Sequence, residues 1–153
     1  MIATSSTCTF ALRDEYPEVL DVDNSGLREH IELATRWLWR KLDEGKTLPL
    51  KPLPLKVVYH TPCHMEKMGW SLYTLELLRL IPGLELTVLD SRCCGIAGTY
   101  GFKRENYETS QAIGAPLFRQ IEESGADIVV TDCETCKWQI EMSTSKRCEH
   151  PVT

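Results

Sequence analysis

The sequence predicts an α/β fold, a parallel sheet flanked by helices. Three observations carry this. Short apolar segments of strand length alternate with segments of helical period. The links between them are short. A cysteine or cysteine pair follows each of three predicted strands at once, which places all of them on the loops at the C-terminal edge of the strands.

Each element has a local reason. Ile2-Ala3-Thr4 reads as the end of a strand entering a loop. Residues 26–45, GLREHIELATRWLWRKLDEG, predict one helix, with Leu27, Ile31, Ala34, Leu38 and Leu42 on a single stripe and Trp37 and Trp39 beside it. Pro49, Pro52 and Pro54 make residues 47–55 an extended connector rather than a ligand for a proline-reading domain. KVVYH (56–60) is a buried strand, and a helix is expected from about Met65 to Leu80. ELTVL (85–89) is a second strand, and a helix over 107–123 is closed by Gly125. DIVV (127–130) is a third strand, leading to a short helix from about Cys136 to Ser143.

Composition excludes several classes. The chain has 153 residues, 42% of them hydrophobic and 25% charged, enough to bury a core as one domain. Its net charge of −5 and lack of a basic stripe argue against a nucleic-acid partner. No apolar run has the length of a membrane span, and MIATSSTCTF lacks the basic start and long apolar stretch of an export signal. Seven cysteines without such a signal point to metal ligands or redox groups rather than a disulfide framework.

LDSRCCGIAGTYGFK holds the adjacent pair Cys93 and Cys94, which cannot easily bridge each other. Together with Cys63, Cys133 and Cys136 they make five thiols that the strand ends bring to one edge. Thiolate suits iron–sulfur clusters, zinc and Cu(I), and five sulfurs exceed the four of a tetrahedral structural zinc. Lowered thiol pKa values are expected for Cys136, near a helix N-terminus, and from Arg92, Lys103, Arg104 and Lys137 close in sequence. Gly95, Gly98 and Gly101 would let backbone N–H groups approach the sulfurs. Their G-x-x-G-x-x-G spacing is wrong for a dinucleotide site.

Other residues carry two readings. His60 and His64 serve either as ligands or to satisfy loop backbone. Tyr100, Phe102 and Trp138 shield a cluster or pack in a core. Cys8 is expected to be a spectator and Cys148 structural or free. The helix with Arg28, Arg36 and Arg40 either lies on a membrane surface or packs internally, and its interleaved Glu29, Glu32, Asp43 and Glu44 favour packing. A dithiol enzyme built on Cys133-Glu134-Thr135-Cys136 would leave Cys93 and Cys94 without a role. VVTDCETCKWQIE also echoes IATSSTCTFALRD, with Cys136 over Cys8 and Ser5 in the place of Cys133, each stretch ending in a Thr-Cys pair. Residues 1–46 are therefore expected to be the tail of a preceding related repeat plus a connecting helix, and 56–153 a cysteine-rich domain.

The pattern C-x29-C-C-x38-C-x-x-C, with YHTPCHMEKMG and LDSRCCGIAGTYGF around it, resembles the cysteine-rich CCG domain. It is similar to the domains of the iron–sulfur subunits of anaerobic glycerol-3-phosphate dehydrogenases, relatives of heterodisulfide reductase B and of the glycolate and lactate oxidation subunits. The two gaps are somewhat short and somewhat long for the usual pattern. The resemblance implies a subunit without its own catalysis in anaerobic respiration, at the cytoplasmic face of the bacterial inner membrane. It implies electron relay from a flavin-bearing partner, which oxidises sn-glycerol 3-phosphate, toward membrane quinone. It further implies a noncubane [4Fe–4S] cluster on Cys63, Cys93, Cys94, Cys133 and Cys136, with cubane clusters in a missing N-terminal part. A zinc-stabilised module docking the catalytic partner or the membrane is the alternative.

Overall fold

A computed structural model describes residues 1–153. The sequence begins with β1 (Ile2–Ala3), α1 (Ser6–Phe10), a π-helical turn at Ala11–Glu15, α2 (Tyr16–Leu20), α3 (Ser25–Arg28), β2 (Glu32–Leu33) and α4 (Ala34–Asp43). The extended connector leads to β3 (Lys56–Tyr59), α5 (Cys63–Met68), α6 (Ser71–Arg79) and β4 (Glu85–Val88). Then follow α7 (Tyr107–Glu123), β5 (Ile128–Val130), α8 (Glu134–Ser143) and β6 (Arg147–Glu149).

The main sheet has the order β4-β3-β5-β6 and every pairing is parallel, so the expected fold class holds. β1 and β2 form a separate parallel pair. Side chains alternate across the central strands as the pleat requires. Val58 and Val129 pack with Leu117, Ile121 and Ile140 of α7 and α8, whereas Val57, Tyr59 and Val130 pack with Leu78 of α6. The chain turns to opposite sides of β3 to reach β4 and β5, which makes the carboxyl ends of β3 and β5 the switch point where α/β sheets bind ligands.

Two predicted helices are broken. Residues 26–45 give α3, an extended pair and α4 in place of one helix. Ile31 and Leu33 are both buried, and residues two apart face different ways on a helix. An extended segment paired with Ile2–Ala3 buries both, and Arg13 donates to the carbonyls of Arg28 and Ile31 at the break. The helix expected over 65–80 begins at Cys63 and is split at Gly69, which sits in the left-handed region at φ +68°. The next residue, Trp70, is held between the guanidinium groups of Arg13 and Arg36, 4.8 and 4.4 Å from its ring.

α4 packs against α6. Its arginine Arg40 pairs with Glu32 and Glu44, and Arg28 of α3 with Asp14. The basic side chains of this region therefore have partners within the chain.

Candidate metal centre

The five cysteines leave the sheet by three local routes. Cys63 opens α5 a few residues past β3, behind Pro62, whose extended backbone at φ −63° and ψ 146° starts the helix. Cys133 is the N-cap of α8 and Cys136 lies in its first turn. Cys93 and Cys94 follow β4 on a loop pressed against α7. The press is close at Gly95, where φ is +87° and a Cβ would fall 2.0 Å from the Ser110 carbonyl oxygen. Ser110 Oγ donates to Gly95 O at 2.9 Å and accepts from Gln139 at 2.9 Å. The next non-glycine in the loop to leave the usual backbone regions, Ala97, takes a positive φ of +45°, a strain of the kind functional loops hold.

All five cysteines line one cavity of about 380 Å³. Cys94, Cys133 and Cys136 are buried, while Cys63 and Cys93 face solvent at the rim. The Cys94 and Cys136 Sγ atoms are 3.3 Å apart, and the Gly95 N–H donates to Cys93 Sγ at 3.3 Å, so one of the three glycines meets a sulfur as expected. A second cavity, about 280 Å³ beneath the connector, contains no cysteine.

The thiols divide the negative charge among themselves. Hydrogen bonds from Cys136 and Cys93 hold Cys94 well below the ordinary thiol range. The hydrogen bond from Cys136, with Thr135 and Thr7 adding to it, lowers Cys133 to about 5. Cys136 is pushed up, first by its bonds to Cys133 and Cys94 and then by burial. Cys93 is raised by its bond to Cys94 and by burial, and Cys63 by burial. The sequence expectation for Cys136 is thus reversed: its contacts with the Cys133 and Cys94 sulfurs and its burial decide it. Nor do the four expected basic residues line the cavity. Lys137 turns away to Glu141 and the Cys148 carbonyl, and the base that acts on Cys63 is Lys67.

His60 is 2% exposed, and its Nε2 has no hydrogen-bond partner. One of its ring nitrogens lies within 4.8 Å of the Cys94 and Cys136 sulfurs. His64 lies at the rim, with Nδ1 3.0 Å from Thr7 Oγ1 and its ring stacked on Phe10 at 4.9 Å. Neither side chain bonds loop backbone. Cys8 is exposed and away from the cavity. Cys148 is buried on β6, its thiol pushed up to about 12 mainly by burial. Tyr100, Phe102 and Trp138 are 43%, 47% and 52% exposed, which fits neither a shield nor a core.

Sequence reasoning missed Asp132 and Thr7. Asp132 is fully buried beneath the cysteines and accepts from Tyr59 at 2.6 Å, Thr74 at 2.9 Å and Thr35 at 3.3 Å. Its carbonyl takes the Ser6 N–H, so it fastens residues 1–46 to the main sheet. Its place one residue before Cys133 gave a faint signal. Thr7 was visible only through the internal echo, which sets it over Thr135.

Comparison with known proteins matches residues 57–141 to the family described as CCG, Cysteine-rich domain. Over all 153 residues the chain is 92% identical to a subunit of the anaerobic glycerol-3-phosphate dehydrogenase of Escherichia coli (strain K12), and it spans 39% of that protein's length. It is 34% identical over 107 residues to an uncharacterized iron-sulfur protein of Methanocaldococcus jannaschii, covering 69% of this chain and 21% of that one. It is 28% identical over 149 residues to a subunit of the CoM/CoB fumarate reductase of Methanothermobacter marburgensis, covering 95% and 28%.

Proposed function

This chain belongs to the CCG cysteine-rich domain family, and on that premise we propose that it is an iron–sulfur electron-transfer unit of an anaerobic glycerol-3-phosphate dehydrogenase. The observation that carries the reading is the meeting of five thiols, from the ends of three parallel strands, around one cavity. The donor set fits the group: soft sulfur ligands, a buried imidazole nitrogen lacking a partner, and no oxygen-rich cage suited to a hard cation.

Cys63, Cys93, Cys94, Cys133 and Cys136 are the proposed ligands of a [4Fe–4S] cluster of noncubane type. The chemistry such a group supplies is one-electron transfer. The protein's part is to hold five thiolates at fixed places, to seat Cys133 at a helix N-terminus that favours negative charge, and to keep three of the sulfurs from water. Ligation requires the protons now shared among the thiols to leave, so binding is coupled to proton release. Electrons come, in this reading, from a flavin-bearing partner that oxidises sn-glycerol 3-phosphate and pass toward membrane quinone. We place the unit at the cytoplasmic face of the inner membrane, with residues 1–46 as the tail of a preceding related repeat. No helix of the chain is long and apolar enough to cross a membrane.

One observation favours a second reading. His60, Cys94 and Cys136 each offer a ligand atom within 4.8 Å of the other two, close enough to serve a single ion, which describes a zinc-stabilised docking module. It leaves Cys63, Cys93 and Cys133 unused.

Alanine substitution of each cysteine in the anaerobically purified chain tests the ligand set. Cys94→Ala and Cys133→Ala are expected to abolish the visible absorbance while the helices stay folded, and Cys8→Ala and Cys148→Ala to keep it. Full absorbance in both of the first two removes them from the set.

A further inference from the structure

Residues 1–46 lie outside the stretch matched to the family, yet they reach the candidate centre. α1 lies against α5 and delivers the Thr7 hydroxyl to 3.4 Å from Cys133 Sγ and 3.0 Å from His64 Nδ1. A second hydroxyl, Thr135 Oγ1, is 3.2 Å from the same sulfur. The two threonines occupy matching places in the echoed stretches STC and ETC, so the threonine of each copy meets one sulfur. His64 is held in turn by residues of the same N-terminal segment, stacked on Phe10 at 4.9 Å and 3.9 Å from the Glu15 carboxylate.

A hydroxyl has one proton to give, and a metal-bound thiolate only accepts. With Cys133 as a ligand, Thr7 therefore donates to the sulfur and takes its own hydrogen bond from His64 Nδ1–H, which fixes the ring tautomer. We propose that Thr7 is a positioning residue that raises the reduction potential of the centre through a hydrogen bond to Cys133; this rests on the cluster reading above. Reduction adds negative charge to the sulfurs, and a hydrogen bond to a ligand sulfur stabilises that charge. The bond exists in both oxidation states, so its strengthening on reduction sets the effect. A strengthening of about tenfold in the equilibrium constant, lost with the hydroxyl, is for one electron a downward shift of about 59 mV.

The test is a redox titration of the anaerobically purified chain, followed by electron paramagnetic resonance, for wild type, Thr7→Val and Thr7→Ser. Thr7→Val keeps the shape and removes the hydroxyl, so its midpoint is expected to fall by about that amount, with Thr7→Ser returning it to the wild-type value. Should Val at position 7 prevent cluster assembly, Thr7→Ala is measured in its place. Cluster loss in both Val and Ala variants with retention in Ser also supports the hydroxyl contact. An unshifted midpoint, an equal shift in Thr7→Ser, or cluster loss in all three variants overturns the role of Thr7 alone. A wild-type chain that binds neither iron nor sulfide overturns the cluster reading and this inference with it.

Discussion

The route of the paired-cysteine loop over α7 makes Gly95→Ala the sharpest test of how the site is built. At φ +87° an alanine bears the left-handed conformation, at about 1–2 kcal/mol. Its Cβ would also lie 2.0 Å from the Ser110 carbonyl oxygen and 3.0 Å from the Gly114 nitrogen. Both atoms are helix backbone and cannot step aside, so the loop carrying Cys93 and Cys94 must lift, at about 1–3 kcal/mol for overpacking. The sum is about 2–5 kcal/mol. Gly98 is the internal control, because its φ is +64° but nothing lies within 4 Å of a Cβ there. Gly98→Ala carries only the conformational cost, about 1–2 kcal/mol. Urea unfolding followed by helical circular dichroism under reducing conditions reads both. The Gly95 variant is expected to be the less stable by about 1–3 kcal/mol. Equal losses in the two variants would mean that the loop does not seat on α7 and would refute the reasoning.

Two further outcomes follow from the buried connections. Burial holds the Asp132 carboxyl above its ordinary 3.8, in spite of hydrogen bonds from Tyr59, Thr74 and Thr35 that act the other way. The folded chain then keeps this proton more tightly than the unfolded one, so the group's contribution is fully present below its ordinary pKa and is lost as pH rises through the folded value. Asp132→Asn is expected to flatten that fall in a stability-against-pH series, and an unchanged slope contradicts the assignment. Leu33 is fully buried where β2 meets the core, so Leu33→Ala is expected to cost about 2–5 kcal/mol. A loss below about 1 kcal/mol in urea unfolding would show that residues 1–46 are not packed as described.

The legible parts of the fold were those with a one-dimensional signature. Val57–Tyr59 and Ile128–Val130 are central parallel strands covered on both faces, and such strands read as plain apolar runs. Once they were placed, the sites of Cys63, Cys93, Cys94, Cys133 and Cys136 past the strand ends followed. β6 was invisible because an edge strand spelled Arg-Cys-Glu offers one apolar residue and no alternation to detect. The helix over 26–45 failed because pairing with Ile2–Ala3, a contact across some thirty residues of sequence, outweighed a good periodic stripe. The order of thiol acidities was out of reach for a similar reason. It depends on which sulfur is buried and which hydroxyl faces it, and Thr7 comes from the far end of the chain. Asp132 likewise has meaning only through Tyr59, Thr74 and Thr35, three residues that the sequence keeps apart.

Iron, acid-labile sulfide and zinc, counted together in the chain purified without oxygen, test the central claim most directly. The account predicts about four irons per chain with matching sulfide, the content of one [4Fe–4S] centre. A single zinc with no sulfide would contradict it and leave the thiols as the cage of a structural ion.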